Sequence, residues 1–209
     1  MARYSRTPSP PPDLRERRRR ELVRTIAAAA VDLFEKNGFA ATTIDDIAAA
    51  AGVSRTTFFR HCATKESAVL VDDAGLEQEL IDVAAEASAT HPLRDLEEAW
   101  EEMAELFDAD TDGRDRFLRV RRLMNDNPAL HAAGLERDAT LTAQLAVALA
   151  ARPGLSPLDA HAVAESFSLG MRLTFDEWVR RAEKKTAPLR EIYGEVRSAL
   201  VRARRTATR

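Results

Sequence analysis

The sequence has 209 residues, 45% of them hydrophobic and 31% charged, which is enough to bury a substantial core. Its single cysteine excludes an internal disulfide and a cysteine-based zinc cluster, and no apolar stretch is long enough to span a membrane. Residues 1–70 carry 12 Lys and Arg against 8 Asp and Glu, whereas residues 71–209 carry 19 against 26. We therefore expect a soluble cytoplasmic protein without a secretory signal, whose basic amino-terminal third meets a polyanion; chance clustering of charge on two solvated surfaces is the alternative.

The first predicted element is a disordered basic arm of residues 1–17, because the prolines within residues 1–12 prevent a helix and few apolar residues are present to bury. Arg3 and Arg6 in this arm either enter a minor groove or belong to a solvated tail. Arg17–Arg20 form an unbroken basic run at the start of the first helix. Positive charge is unfavourable at a helix amino terminus, so the run favours contact with a nucleic-acid backbone.

Four helices are predicted next. The first is amphipathic, with apolar side chains at three- and four-residue steps, and Gly38 ends it. Thr43 caps the second helix in a capping box with Asp46, Ser54 caps the third and Thr64 caps the fourth.

The remainder of the chain is a series of helices separated by breaks that contain Pro, Gly, Asn or Asp. Counted from the fourth helix, which is expected near residues 65–89, the others are expected near residues 93–109, 114–125, 128–151, 157–184 and 188–205. No β-hairpin signal and no internal repeat is present. The predicted fold class is all-α with about nine helices. It comprises a three-helix amino-terminal domain of residues 18–66 and a helical carboxy-terminal domain of residues 67–209.

Residues 44–63 have the spacing of a helix-turn-helix. Ala48 is a small residue at the point where two helices would cross, and Gly52 follows in the turn, where a positive φ favours glycine. Short or basic side chains on the second helix of the pair can reach base edges and phosphates in a major groove. An ordinary helical hairpin with a glycine turn is the alternative, but it explains fewer of these positions.

The segment from Thr42 to His61, followed by Thr64-Lys65-Glu66, resembles the DNA-binding signature of the TetR (tetracycline repressor) family. The resemblance covers residues 18–70, and beyond them the number and order of helices match. It implies a homodimeric repressor that binds a near-palindromic operator in double-stranded DNA and responds to a small effector. Together with the basic run, it indicates these DNA-binding residues: Arg17, Arg18, Thr42, Thr43, Ser54, Arg55, Thr56, Thr57, Phe59, Arg60, His61 and Lys65.

Two positions depart from the family pattern. Phe59 stands where the family usually has a tyrosine that donates to a phosphate, so the phosphate contacts are expected to depend more on His61, Lys65 and the arm. Cys62 stands where an aromatic residue is usual, and we interpret it as a small buried hydrophobe rather than a redox switch. A more distant similarity, to actinobacterial regulators of the mycofactocin type, rests on Thr57–Arg60 and the acidic pair that follows at Asp72-Asp73.

No catalytic constellation is evident in the carboxy-terminal domain. Its histidines lack a matched nucleophile and metal-ligand spacing, so we expect no enzyme activity, no metal site and no cofactor. Its large apolar residues are first of all core. The family resemblance implies that some of them line a cavity for an apolar or amphipathic effector. The expected wall residues are Phe117, Arg121, Phe167, Met171 and Phe175. Arg121 either pairs with an anionic ligand group or forms a surface salt bridge.

The last two helices carry two apolar stripes that are expected to form a two-fold dimer interface. The stripes are Val163, Phe167, Gly170, Thr174 and Trp178, and then Leu189, Ile192, Tyr193, Val196 and Leu200. Packing inward within one protomer is the alternative. Two other functions remain open at this point: a nonspecific DNA-binding protein that relies on the arm, and an all-α small-molecule-binding protein without an operator. The sequence also leaves open activation instead of repression.

Overall fold

The computed structural model describes residues 14–71, 75–182 and 187–206, and all regular structure in these ranges is α-helical. The all-α class is therefore confirmed. The helices are α1 Leu14–Asn37, α2 Ile44–Ala50, α3 Arg55–His61, α4 Lys65–Val69, α5 Leu76–Glu86, α6 Pro92–Ala109, α7 Thr111–Asp126, α8 Pro128–Ala150, α9 Pro157–Ala182 and α10 Leu189–Thr206. They form two compact units, residues 1–74 and 75–209, which we call the head and the body. None of the described helices is long and apolar enough to cross a membrane.

The helix predicted over residues 65–89 is two helices. α4 ends at Val69, and α5 begins at Leu76 after Gly75, whose φ of +79° is a left-handed conformation that favours glycine. This difference accounts for ten helices instead of about nine. Because α4 packs against α1, it belongs to the head, and the boundary between the units lies eight residues beyond the one expected after residue 66.

The first helix begins inside the segment assigned to the arm. α1 starts at Leu14, so residues 14–17, which were assigned to the arm, are helical. Arg3 and Arg6, the two arginines proposed to enter a minor groove, lie outside the described residues. The basic run Arg17–Arg20 thus lies on the first two turns of a regular helix, which fixes the spacing of its side chains along one element.

The head encloses a small core of its own. Ile26, Ile47 and Phe58, from three different helices, are each 0% exposed, and Phe34 is 2% exposed. Cys62 joins this core at 2% exposure, and burial raises the pKa of its thiol, which keeps it protonated and poorly reactive. The interpretation of Cys62 as a buried hydrophobe therefore fits its surroundings.

The body is organised around α9, which packs against α6, α8 and α10. α5 packs against α6 and α8, and α7 packs against α6 and α8. α7 and α8 pack closely at Gly134, where an added Cβ would meet the terminal methyl group of Met124, the flexible end of a side chain that can shift. The body has one continuous apolar core cluster. α5, α6, α8, α9 and α10 each contribute buried side chains to it, whereas α7 contributes only partly buried ones.

The two stripes predicted for a dimer interface face mostly into the body. Phe167 and Thr174 on α9 are 0% exposed, and Leu189 and Ile192 on α10 are 0% exposed as well. Gly170 does allow a close helix approach, but within one protomer, since a Cβ there would lie 3.3 Å from a ring carbon of Tyr193 on α10. The periodicity correctly indicated an apolar face on α9. That face is covered by α6, α8 and α10 of the same protomer instead of by a second protomer.

Candidate nucleic-acid interface

α2 and α3 form the predicted helix-turn-helix. Gly52 in the turn has a φ of +66°, and the Val53 N–H donates to the Ala48 carbonyl at 2.9 Å. The turn is therefore held by the backbone around the glycine. Ile47 and Phe58 are fully buried beneath it, so the angle between the two helices is set by side chains inside the head core.

Hydroxyl caps begin both helices, as predicted. The Thr43 N–H and hydroxyl donate to Asp46 Oδ2 at 2.9 and 2.7 Å, and these two bonds hold the pKa of Asp46 below its usual value. At the start of α3, Ser54 Oγ accepts from the Thr57 N–H at 3.0 Å, and the two hydroxyl oxygens lie 2.9 Å apart. Ser54 thus both caps the helix and orients the Thr57 side chain.

The surface of α3 opposite Phe58 carries most of the predicted DNA-contacting residues. Arg55, Thr56 and Arg60 are exposed, and Phe59 is 45% exposed. Thr57 and His61 are half-buried at its margins. A helix with one fully buried face and an opposite face of short polar, aromatic and cationic side chains is suited to lie in a major groove.

Arg55 is held in place by two neighbours. Its Nη1 atom lies 2.7 Å from each carboxylate oxygen of Asp45 on α2, and its guanidinium lies 5.4 Å from the centre of the Phe59 ring. We did not predict the contact with Asp45. The sequence shows an acidic residue in the first turn of α2. Because ten residues separate it from Arg55, the sequence does not indicate that the two side chains meet.

The charge of one arginine on α1 acts on the end of α3. Burial and then the positive charges of Arg60 and Arg19 lower the pKa of His61. Arg17 and Arg18, two turns or less from the start of α1, are exposed. Of the predicted basic run, Arg19 therefore adds its charge to that at the end of α3.

Two of the predicted DNA-binding residues serve the fold. Thr42 is 1% exposed and its hydroxyl donates to the Gly38 carbonyl at 2.9 Å, so its side chain closes the loop between α1 and α2 and is withdrawn from the candidate interface. Lys65 donates from Nζ to the carbonyls of Phe39 and Thr42 at 2.7 and 3.1 Å and lies 4.1 Å from the Phe39 ring centre. Two of its three donors are thereby engaged, which leaves one for a phosphate.

In the body, three of the five predicted effector-wall residues lie together. The ring centres of Phe117 and Phe175 are 4.6 Å apart, and the Arg121 guanidinium lies 5.7 and 5.8 Å from those centres. Arg121 also donates to Asp176 at 2.8 Å, which is the salt-bridge alternative, although the Arg121 side chain is only 16% exposed. Phe167 is fully buried and Met171 is half-buried; both pack in the same core.

Three aromatic residues that were not included in the predicted wall extend this group. Phe107 contacts Phe117 and Trp178 with ring centres 5.5 and 5.6 Å apart, and Trp100 contacts Phe175 at 5.5 Å. The indole N–H groups of Trp100 and Trp178 are buried, and neither has a hydrogen-bond acceptor among the described residues. Buried donors without acceptors are costly, so the two indole N–H groups are unsatisfied polar groups within this ring cluster.

These features define the class of the protein: a helix-turn-helix DNA-binding protein whose second unit is an all-α body. Residues 26–69 match the family model described as bacterial regulatory proteins, tetR family. This segment of the chain is therefore similar to the DNA-binding part of TetR-family regulators, and the comparisons support transcription regulation through DNA binding as its role.

Similarity to individual family members extends over both units. TcmR of Streptomyces glaucescens, an HTH-type transcriptional regulator, is 29% identical over 179 residues, which cover 82% of this chain and 79% of TcmR. MftR of Mycobacterium tuberculosis, named as a mycofactocin biosynthesis transcriptional regulator, is 43% identical over 51 residues, 24% of this chain and 26% of MftR. The crystal structure of Thermus thermophilus FadR, a TetR-family transcriptional repressor in complex with lauroyl-CoA, is 27% identical, covers 86% of this chain and 93% of FadR, and has a TM-score of 0.50.

Proposed function

We propose that this chain is a TetR-family repressor that binds a near-palindromic operator as a homodimer and leaves it when a small apolar or amphipathic effector occupies the body. The observation that carries the DNA-binding part is the exposed face of α3, with Arg55, Thr56 and Arg60 on the surface and a fully buried Phe58 behind them. Such a regulator acts in the cytoplasm on the nucleoid, and this function calls for no catalytic residue, metal or cofactor.

Within this proposal the interface residues divide into two groups. Arg55, Thr56 and Thr57 at the start of α3 contact base edges, as the amino-terminal residues of recognition helices do. The phosphate contacts come from residues around them: Arg17, Arg18, Thr43, Ser54, Phe59 through its backbone, Arg60, His61 and the remaining donor of Lys65. Phosphate contacts set the register and supply most of the salt-dependent affinity.

The test of this function is selection of bound duplexes from a random DNA pool, followed by titration of the winning sequence at several salt concentrations. An enriched inverted repeat with half-sites about one helical turn, roughly 34–36 Å, apart is the expected result. Affinity is expected to fall steeply with salt and to be weakened by Thr57→Ala. Salt-sensitive binding with no preferred sequence would point to a nonspecific DNA-binding protein, and no binding would point to a role of the body alone.

A groove between α9 and α10 is the candidate dimer face. It has a volume of about 910 Å³. It is lined by Leu173, Glu177, Arg181, Glu191, Gly194, Glu195, Val196, Ser198, Ala199, Leu200, Arg202 and Ala203. Leu173, which lines the groove, is 37% exposed, so apolar surface remains for a second protomer to bury.

The charges in this groove already compensate one another. Arg181 donates to Glu177 at 2.5 Å and to Glu195 at 2.6 Å, and arginine neighbours, Arg180 first, lower the pKa of Glu177 to about 2. A second copy of the groove therefore meets paired charges and apolar side chains. That combination suits a two-fold contact in which each residue faces its own symmetry equivalent or near neighbours.

The effector part of the proposal rests on the ring cluster of the body. Phe107, Phe117 and Phe175 supply apolar contact, Trp100 and Trp178 supply unsatisfied N–H donors, and Arg121 supplies a positive charge. An amphipathic molecule with an oxygen or anionic group satisfies all three features. FadR, which is similar to this chain, holds lauroyl-CoA, an amphipathic molecule of this class.

Intrinsic fluorescence provides the effector test, because the chain has two tryptophans and both belong to this cluster. Lauroyl-CoA, added to the protein on its operator, is expected to shift tryptophan emission and release the DNA over the same concentration range. Coenzyme A alone, as the control, is expected to do neither. Release of DNA with unchanged emission would place the effector outside the ring cluster, and no response would exclude long-chain acyl-CoA as the effector.

The proposed phosphate contact of His61 predicts a pH dependence. Because burial and the charges of Arg60 and Arg19 lower its pKa, His61 is neutral in the free head at neutral pH. A phosphate beside it favours the imidazolium, so DNA binding takes up a proton as the pH falls. We expect operator affinity to rise from about pH 7.5 to about pH 6, measured by fluorescence anisotropy at constant ionic strength.

His61→Gln serves as the matched variant and is expected to show a weaker rise in affinity over that range. The effect on folding has the opposite sign: a lowered folded-state pKa means that the unfolded chain binds the proton first, so stability contributed by neutral His61 is lost as pH falls. If operator affinity depends on pH in the same way in the wild type and in His61→Gln, His61 is not one of the phosphate contacts.

A further inference from the structure

We propose that Arg55 reads a guanine in each half-site and that Asp45 is the residue that positions it for this purpose. The inference rests on the proposed operator binding and adds a specificity determinant to it. Its basis is the ion pair between α2 and α3, in which the Arg55 Nη1 atom lies 2.7 Å from both Asp45 oxygens. Both side chains remain open to a ligand, with 60% and 64% of their surface exposed.

The geometry leaves one edge of the guanidinium free for a base. An arginine side chain has five N–H donors in a rigid planar fork. Asp45 engages Nη1, so the edge formed by Nη2 and Nε keeps two parallel donors. Guanine is the base that presents two neighbouring acceptors, O6 and N7, to the major groove, and arginine is its usual partner.

Phe59 restrains the same group from a second direction. Its ring centre lies 5.4 Å from the guanidinium carbon, one helical turn along α3 from Arg55. With Asp45 at one edge and a ring beside it, the guanidinium loses less rotational freedom when it binds a base than an unrestrained arginine does. The contact gives the aromatic ring at position 59 a role that needs no hydroxyl.

The carboxylate argues for a base and against a phosphate as the partner of Arg55. Asp45 is itself exposed, and its negative charge repels a phosphate brought to the same guanidinium. A guanine edge carries no net charge and offers acceptors only, so it meets the free donors without that penalty. Arg55 is moreover the first residue of α3, at the end of a recognition helix that approaches the bases.

The experiment compares base preferences of the wild-type protein and three variants by duplex selection and by titration of single-base operator variants. Arg55→Lys keeps the positive charge but cannot form the two-donor contact, and Asp45→Asn keeps the shape but not the charge. Glu66→Gln, on α4, removes one negative charge from the head without touching Arg55 and controls for net charge. Circular dichroism melts of all four proteins establish that the head remains folded.

The wild-type operator is expected to contain one strongly preferred G per half-site. Arg55→Lys is expected to lose that preference, a fall of roughly five- to 150-fold in discrimination against a replaced G·C pair. Asp45→Asn is expected to weaken the preference at the same position while its affinity for unrelated duplex stays equal or rises, because a repulsive charge has gone. Glu66→Gln is expected to change only the affinity for unrelated duplex and to leave the preference for G unchanged.

Three results would overturn the inference. An unchanged preference for G in Asp45→Asn would show that the ion pair does not position Arg55. A uniform loss of affinity in Arg55→Lys, with the base profile intact, would make Arg55 a phosphate contact. A wild-type protein that enriches no sequence would remove operator binding itself, and with it this inference, whereas the first two results leave the proposed function standing.

Discussion

Phe58→Ala is expected to unfold the head and abolish operator binding while the body keeps its helices. Phe58 is 0% exposed and anchors α3 to the core shared with α1 and α2. Truncation of a fully buried phenylalanine costs about 3–5 kcal/mol, most of what a unit this small has available. Urea titration followed by far-UV circular dichroism is expected to show an early partial transition in the variant, and anisotropy is expected to show no operator complex.

The neighbouring phenylalanine provides the control. Phe59 is 45% exposed and meets Phe58 edge-on, with ring centres 5.7 Å apart. Phe59→Ala removes the same atoms from a solvent-facing position, so it is expected to leave the unfolding transition nearly in place and to weaken DNA binding without abolishing it. Equal destabilisation by the two substitutions would contradict the assignment of one face of α3 to the core and the other to DNA.

Leu200→Glu is expected to separate the protomers and lower operator affinity by about 100-fold or more, because a dimer gains its affinity from two linked heads. Leu200 lines the groove between α9 and α10 and is half-buried in one protomer, so the substitution puts an unpaired charge into the proposed interface without opening the body core. Sedimentation velocity measures the association state, and anisotropy measures binding to the full and half operator.

Leu106→Glu is the matched control for that variant. Leu106 lies on α6, outside the groove, and is 68% exposed, so the same change of chemistry there is expected to leave a dimer with wild-type affinity. Half-operator binding by the Leu200 variant should persist, because its head is untouched. A Leu200 variant that remains dimeric would move the proposed interface away from α9 and α10.

Local features were predicted well from the sequence because they depend on neighbouring residues. Thr43, Ser54 and Thr64 cap the helices assigned to them, and Gly38 and Gly52 have the positive φ that their positions require. Each of these signals lies within a few residues of the structure that it specifies. Gly75 carried the same kind of signal, but the apolar pattern on both sides of it favoured one continuous helix.

Features that depend on distant partners were not predictable in the same way. Asp45 and Arg55 are an acid and a base among many, and only the turn between α2 and α3 brings them together. The stripe containing Phe167 and Thr174 is apolar at helical spacing whether its cover is a neighbouring helix or a second protomer, so periodicity does not distinguish the two. Thr42 shows the same limit for a polar residue, since a hydroxyl suits a phosphate and a loop carbonyl equally.

The paired hydroxyls of Ser54 and Thr57 have a consequence for how the operator can drift over evolutionary time. Their oxygens are 2.9 Å apart and either one can be the donor, so Thr57 can present its outer side as a proton donor or as a lone pair. In the proposed operator complex, a base edge of either polarity is then acceptable opposite Thr57, and mutations at that operator position are expected to cost little. Sequence information is concentrated where the donor pattern is rigid, and promoters under this regulator are free to vary where it is not.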